Sequence, residues 1–304
     1  GSKNQCYTNS EVYNQVLFMQ RKKSMTEVQG RPIHFDLTDE SREIFESIVI
    51  SRFSVRDDDD EVLRTDGGLT FVEQGTTNWK LALAEIEILV HTTSQPLAET
   101  NGSGKPDMVT VKAEWCKPED AHKAHVNVQA GGNANVFYEL GAILMPDGFR
   151  IPVVTASKEN VMYYGLTLVG NDEAFELLSD EFAMVLAKYR YGKNYREDFL
   201  TEVAGGGGYF VETHNFPHIH VPLSPDCGGY MIIGKRLSVD EFNFTAFSIP
   251  YGYALHTPAN TIHGDGTIVG EHAITVAITS ADADTVLFYN EHTKAMARDL
   301  FSAA

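Results

Sequence analysis

Five of the eleven histidines of this chain, His214, His218, His220, His256 and His263, fall within the stretch 214–263. His218-Ile219-His220 sits inside a run with strand character. A strand places alternate side chains on one face, so the two imidazoles aim at the same side of a sheet. Downstream, Pro250-Tyr251-Gly252 reads as a tight turn feeding a second strand that carries His256, with Asn260 behind it. Three imidazoles converging on a concave β-surface hold a divalent transition metal and leave coordination positions open for substrate. The spacing predicts His218, His220 and His256 around one ion, with ring nitrogens at roughly 2.0–2.2 Å from it. His214 and Asp226 are the candidates for a fourth ligand.

These two segments resemble the paired motifs of the cupin superfamily, over 207–291. The first cupin motif centres on a His-x-His pair and ends in glycine, matched by His218, His220 and Gly234. The second runs Pro-x-Gly, a short gap, His, three residues, Asn. Pro250, Gly252, His256 and Asn260 match it with one extra residue before the histidine. Cupins usually supply a glutamate a few residues after the pair, where this chain has Val221-Pro222-Leu223-Ser224-Pro225-Asp226-Cys227. Either Asp226 takes the carboxylate role or the site is all-histidine. His214, six residues after Gly208, has the motif's glycine-to-histidine spacing without the pair. With Cys227 near the expected glutamate position, the chain resembles in site composition the cupin thiol dioxygenases, which use three histidines and no carboxylate. The resemblance implies a mainly β chain with an antiparallel jelly-roll barrel and a divalent transition metal, iron first, with zinc, manganese or nickel as alternatives.

The expected chemistry follows from what would line that site. Neutral imidazoles leave the ion's charge uncancelled, which favours an anionic substrate or a deprotonated oxygen at the open positions. Lys235 and Arg236 end the strand 230–233, and alternation sends one of them inward to bind a carboxylate or phosphate. Tyr209, Tyr230, Tyr251 and Tyr253 are candidate proton donors, Tyr251 and Tyr253 foremost. His263, in Ile262-His263-Gly264-Asp265-Gly266, is expected where a strand ends at the barrel mouth, either binding substrate and moving a proton or exposed in a loop. Three functions fit: a non-haem iron dioxygenase acting on a small anionic metabolite; a metal-dependent isomerase, epimerase or lyase; a cupin that binds a ligand without turnover.

The elements that must position these residues can be read outward from them. The barrel is expected over 207–304. Ahead of it, 171–206 reads as a helical connector. Asn171 caps a helix to Tyr189, with Asp172 and Glu173 in its first turn and Phe175, Leu178, Phe182, Leu186 and Tyr189 at helical spacing. A second helix over 195–203 leads into Gly205–Gly208, a hinge or linker. Residues 65–170 read as short strands broken by glycine-rich turns, either a degenerate second cupin or sheets extending one barrel. His122 and His125 there do not share a strand face. Asn135-Val136-Phe137-Tyr138-Glu139-Leu140-Gly141 resembles the glutamate-bearing stretch of nucleoside deoxyribosyltransferases, but that family needs a parallel α/β sheet and the preceding residues have hairpin texture. Met145 to Pro152 reads as a turn between strands. The extension 1–64 carries an amphipathic helix at 38–49, and the acidic run Asp57 to Glu61 reads as a solvated loop rather than a calcium site.

Composition sets the outer limits. The chain has 304 residues and a net charge of −18, from 42 acidic and 24 basic residues. Nucleic acid and anionic membranes demand a basic footprint that this chain lacks. The expected partner is a small-molecule substrate, with a homodimer left open. Cys6, Cys116 and Cys227 form no disulfide framework, which suits a reducing, cytoplasmic setting. Gly1-Ser2 reads as the scar of a cleaved tag, so the native N-terminus, with any targeting sequence, is expected to be missing from this chain.

Overall fold

The computed structural model describes residues 104–128, 140–179, 209–277 and 283–302, together with the strands Arg64–Thr65, Thr70–Val72, Gly75–Ala82, Glu85–Leu89 and Met184–Tyr191. The helices expected at 38–49 and 195–203, the acidic run 57–61, residues 135–139 and the glycines 205–208 lie outside the described residues.

Within them the chain is mainly β, with two short helices, Pro118–Lys123 and Lys158–Met162. One sheet runs in the order Arg64–Thr65, Met184–Tyr191, Ile268–Ala277, His218–Pro222, Ala254–Thr257, Thr167–Val169. The other runs Val109–Lys112, Glu241–Ser248, Met231–Arg236, Ile262–Gly264, Phe210–His214, Ala283–Asn290, Gly141–Met145, Glu114–Cys116. Together they form a nearly closed, barrel-like β structure. Pairing is antiparallel apart from Gly141–Met145 with Ala283–Asn290 and Val153–Thr155 with Glu241–Ser248. Strands from 109–169 thus hydrogen-bond directly to strands from 241–290. No helix among the described residues is long and apolar enough to cross a membrane.

Three apolar layers explain why so many strands are buried along their whole length. Leu168, Leu255 and Ile274 of the first sheet meet Phe210, Ile233, Phe247 and Leu287 of the second in the interior. The outer face of the first sheet, with Ile219, Val221 and Ala273, packs on Leu81, Phe175 and Leu177 of a small third sheet. The outer face of the second, with Val211, Ile232 and Phe244, is covered by Phe149 and Leu300. Because layers cover both of its faces, the strand His218–Pro222 is buried at all five positions. Phe242, Phe244, Phe247 and Phe288 are fully buried; each contributes about 1.5–3 kcal/mol of transfer free energy.

The expected helix from Asn171 to Tyr189 is not formed. Its described parts are the strands Ala174–Ser179 and Met184–Tyr191. Phe175 and Leu178 have a helical spacing but Phe175 and Leu177 have that of a strand, and sheet pairing decides between them. Phe175 and Leu177 are buried against the third sheet while Leu178 is exposed. Asp172, expected in a first helical turn, instead has φ 63°, and its amide donates to Leu81 O at 2.7 Å. The turn expected after Met145 is present, with Gly148 at φ 72°. His122 and His125 are both exposed at the end of Pro118–Lys123.

Candidate metal centre

Three strands bring the site together. Phe210–His214 belongs to the second sheet, and the chain then crosses through Asn215, Phe216 and Pro217 into His218–Pro222 of the first. Ile262–Gly264 pairs with Phe210–His214 so that His263 stands directly opposite Glu212. Phe210 and Ile233 belong to the interior cluster, and strand alternation puts Glu212, His214 and His263 on that same inward face. His218 and His220 face inward as well, because the residues between and after them, Ile219 and Val221, belong to the outer layer.

The result is a buried group, Glu212, His214, His218 and His263, whose ligand atoms all lie within 4.8 Å of one another and which could hold a metal ion. His214 Nε2 lies 2.9 Å from His218 Nε2 and 3.1 Å from His263 Nε2. Glu212 Oε1 is 3.6 Å from His263 Nε2, and its other oxygen accepts a hydrogen bond from Thr285 Oγ1 at 2.9 Å.

The orientation of the rings is set from behind. His214 Nδ1 donates to Phe216 O at 2.8 Å, His218 Nδ1 to Thr275 O at 2.6 Å and His263 Nδ1 to Thr261 O at 2.8 Å. A backbone carbonyl only accepts, so each Nδ1 carries the ring proton and each Nε2 presents a bare lone pair to the centre. Phe216 stacks on His214 at a centroid distance of 3.8 Å and holds that ring edge-on to the group. Asn260, at φ 65°, donates its amide to His214 O at 2.7 Å and so anchors the end of that strand. Burial, reinforced by the neighbouring imidazoles, holds His214 and His218 well below the usual histidine range, and burial lowers His263 too. Neutral rings with lone pairs turned inward are the protonation state that metal ligation requires.

Comparison of the chain with protein-family models, curated proteins and solved structures finds no match in any of the three.

The residues singled out from sequence are distributed as follows. His214 and His218 lie in the group, and so does His263, which is 2 % exposed and sits on a strand instead of at a loop or barrel mouth. His220 is beside it, its ring 5.2 Å from that of His218, but its Nε2 is turned to Asp265 Oδ2 at 3.4 Å. His256 is on the other side of the sheet: it pairs with Ile219, and directly paired residues share a face. Its ring lies 6.4 Å from Phe175 in the outer layer. Asp226 is exposed in a turn, its amide bonded to Ser224 Oγ. Lys235 lies on the same face of its strand as Met231 and Ile233 of the interior cluster, and Arg236 lies on the outer face with Phe242. Both are exposed at the strand's end, with Lys235 Nζ 4.8 Å from the centre of the Tyr163 ring and the Arg236 guanidinium 5.0 Å from that of Phe242, so each charge rests on an aromatic face. Tyr251 and Tyr253 occupy the turn closed by Tyr253 N donating to Pro250 O. Cys227 lines a small pocket with His272, Tyr230 and Met231.

Glu212 is the residue that the sequence reading missed. Its signal was available: Glu212-Thr213-His214 has the same i, i+2 spacing as His218-x-His220, and the same alternation argument applies to it.

Proposed function

We propose that this protein is a cupin-type metalloenzyme in which Glu212, His214, His218 and His263 hold one divalent ion, and that it performs non-haem iron dioxygenase-type chemistry on a small anionic metabolite. The observation that carries the reading is the set of three carbonyl-locked imidazoles. Bare nitrogen lone pairs 2.9 and 3.1 Å apart repel one another unless a cation sits between them.

The spacing also bears on which ion. Nitrogens about 2.1 Å from one ion stand about 3.0 Å apart at right angles and about 3.4 Å apart at the tetrahedral angle. The two short separations match the right-angled case, which suits six-coordinate iron, manganese or nickel better than four-coordinate zinc. Four protein ligands then leave two positions for substrate and dioxygen. One carboxylate against a dication leaves one positive charge in a buried place, and an anionic ligand neutralises it. Bound iron would supply the electrons for dioxygen activation. The chain supplies orientation through the Nδ1 bonds, a fixed carboxylate through Thr285, and exclusion of bulk water through Phe216 and the inner core.

Reconstitution with Fe(II) under anaerobic conditions tests this. The expected result is about one ion per chain, with oxygen consumed when the acting substrate, sought among small carboxylic acids, is added. Failure to retain iron, manganese, nickel or zinc overturns the metal centre. Turnover that persists without oxygen and with manganese or zinc replaces the dioxygenase with an isomerase or lyase.

A further inference from the structure

Two unpartnered polar atoms flank the candidate ligand His218 on its inward side. His218 pairs directly with Thr257, and His220 with Leu255, whose side chain belongs to the interior core. Thr257 and His220 therefore share the inner face with His218. Thr257 is 1 % exposed and its Oγ1 has no hydrogen-bond partner; His220 is 0 % exposed and its Nδ1 has none. An orphaned polar atom of this kind costs about 1–3 kcal/mol. The polar groups around them are satisfied: His218 Nδ1 by Thr275 O, Thr275 Oγ1 by Ile219 N, Glu212 by Thr285.

The chemistry wanted by the pair can be specified. Tyr191 OH donates to Asp265 Oδ2 at 2.8 Å, and the same oxygen lies 3.4 Å from His220 Nε2. A carboxylate accepts, so His220 carries its proton on Nε2 and offers Nδ1 as a bare acceptor. The Thr257 hydroxyl is free to donate. One oxygen that accepts from Thr257 and donates to His220 completes both, and only a hydroxyl-type oxygen does both at once. A carboxylate or dioxygen has no proton to give.

We propose that Thr257 Oγ1 and His220 Nδ1 form the receptor for a hydroxyl-type oxygen bound to the ion that Glu212, His214, His218 and His263 hold. The inference rests on that metal reading. The oxygen belongs either to a bound water or to the hydroxyl of a hydroxy acid. His220 is thereby a ligand-positioning residue outside the coordination sphere, and the Tyr191–Asp265 pair sets its tautomer.

The test uses the full chain loaded with Co(II), whose visible spectrum reports its ligands, with glycolate and acetate as probes that differ by one hydroxyl. Thr257→Val and His220→Phe are the variants. Thr257→Val keeps the shape while removing an unpaired hydroxyl, so it folds even if the larger change does not. Both variants are expected to bind one Co(II) with an affinity within about threefold of wild type. If the oxygen is a substrate hydroxyl, wild type prefers glycolate over acetate by at least about tenfold and each variant loses that preference. If it is water, wild type does not discriminate and the ligand-free Co(II) spectrum shifts in each variant. Identical spectra and an identical glycolate-to-acetate ratio in wild type and Thr257→Val overturn the inference while leaving the metal centre intact. Loss of Co(II) from a folded variant overturns it too, by making that residue a ligand. Absence of Co(II) binding in wild type removes the metal reading and this inference with it.

Discussion

His256 stands directly opposite Ile219 across the antiparallel pair of His218–Pro222 and Ala254–Thr257, and both side chains belong to the outer face of their sheet. Its imidazole is separated from the inward-facing His218 by the thickness of the sheet. Burial against Phe175 pushes its pKa down to about 4. His256→Ala is therefore expected to retain the full complement of metal and to lose only packing, about 1 kcal/mol by urea denaturation. Metal analysis that finds the ion gone from this variant would return His256 to the coordination sphere.

Removal of a ligand from the buried group acts differently. His263→Ala or Glu212→Gln should abolish stoichiometric metal binding, because each takes one of four donors from a closed set. Thr285→Val removes only the hydrogen bond to Glu212 Oε2. Its expected effect is a loss of metal affinity of about 10–100-fold with stoichiometry preserved, measured by competition with a chelator of known affinity. Equal behaviour of Thr285→Val and wild type would show that Glu212 does not reach the ion.

The histidines make the stability of the metal-free protein depend on pH, with a definite sign. Burial lowers His214, His218, His256, His263 and His272 below their ordinary value in the folded state. Below about pH 6.5 the unfolded chain takes up protons that the folded chain refuses. Stability therefore falls as pH falls from about 6.5, and each such histidine steepens the slope by about 1.4 kcal/mol per pH unit. Urea midpoints of chelator-treated protein between about pH 8 and pH 5 measure it. Midpoints that hold level through this window would contradict the buried, neutral state. Saturating metal, which binds only neutral imidazole, should move the onset of the loss to lower pH.

Gly264 is where the site is most vulnerable to a single methyl group. A Cβ there would lie 2.2 Å from the carbonyl oxygen of Phe210, in the pairing that sets His263 against Glu212. Backbone must move to admit it, so Gly264→Ala should cost about 1–3 kcal/mol and weaken metal binding as well. Gly228, whose added Cβ would meet nothing within 4 Å, is the control, expected near wild type in both measurements. A Gly264→Ala protein as stable and as metal-competent as Gly228→Ala would show that the register at Glu212 and His263 tolerates a shift.

How far these properties were legible in the sequence differs from element to element. The β character was, because turn residues punctuate short apolar runs, and so was the inward pairing of His218 with His220, because a period of two needs only one strand. The strands at 174–191 were not. Phe175, Leu178, Leu186 and Tyr189 recur at a helical period, and only pairing with Gly75–Ala82 and Ile268–Ala277 overrides it. The composition of the site was half visible. Histidines and a nearby carboxylate could be named from their spacing, but which of them meet depends on the register between strands distant in sequence. A shift of one residue in pairing exchanges the two faces of a strand. The sequence by itself determined that a β-rich chain concentrates imidazoles between 214 and 263. Tertiary structure decided that Glu212 and His263 join His214 and His218 and that His256 does not, because face and register are set by cross-strand hydrogen bonds that no local pattern encodes.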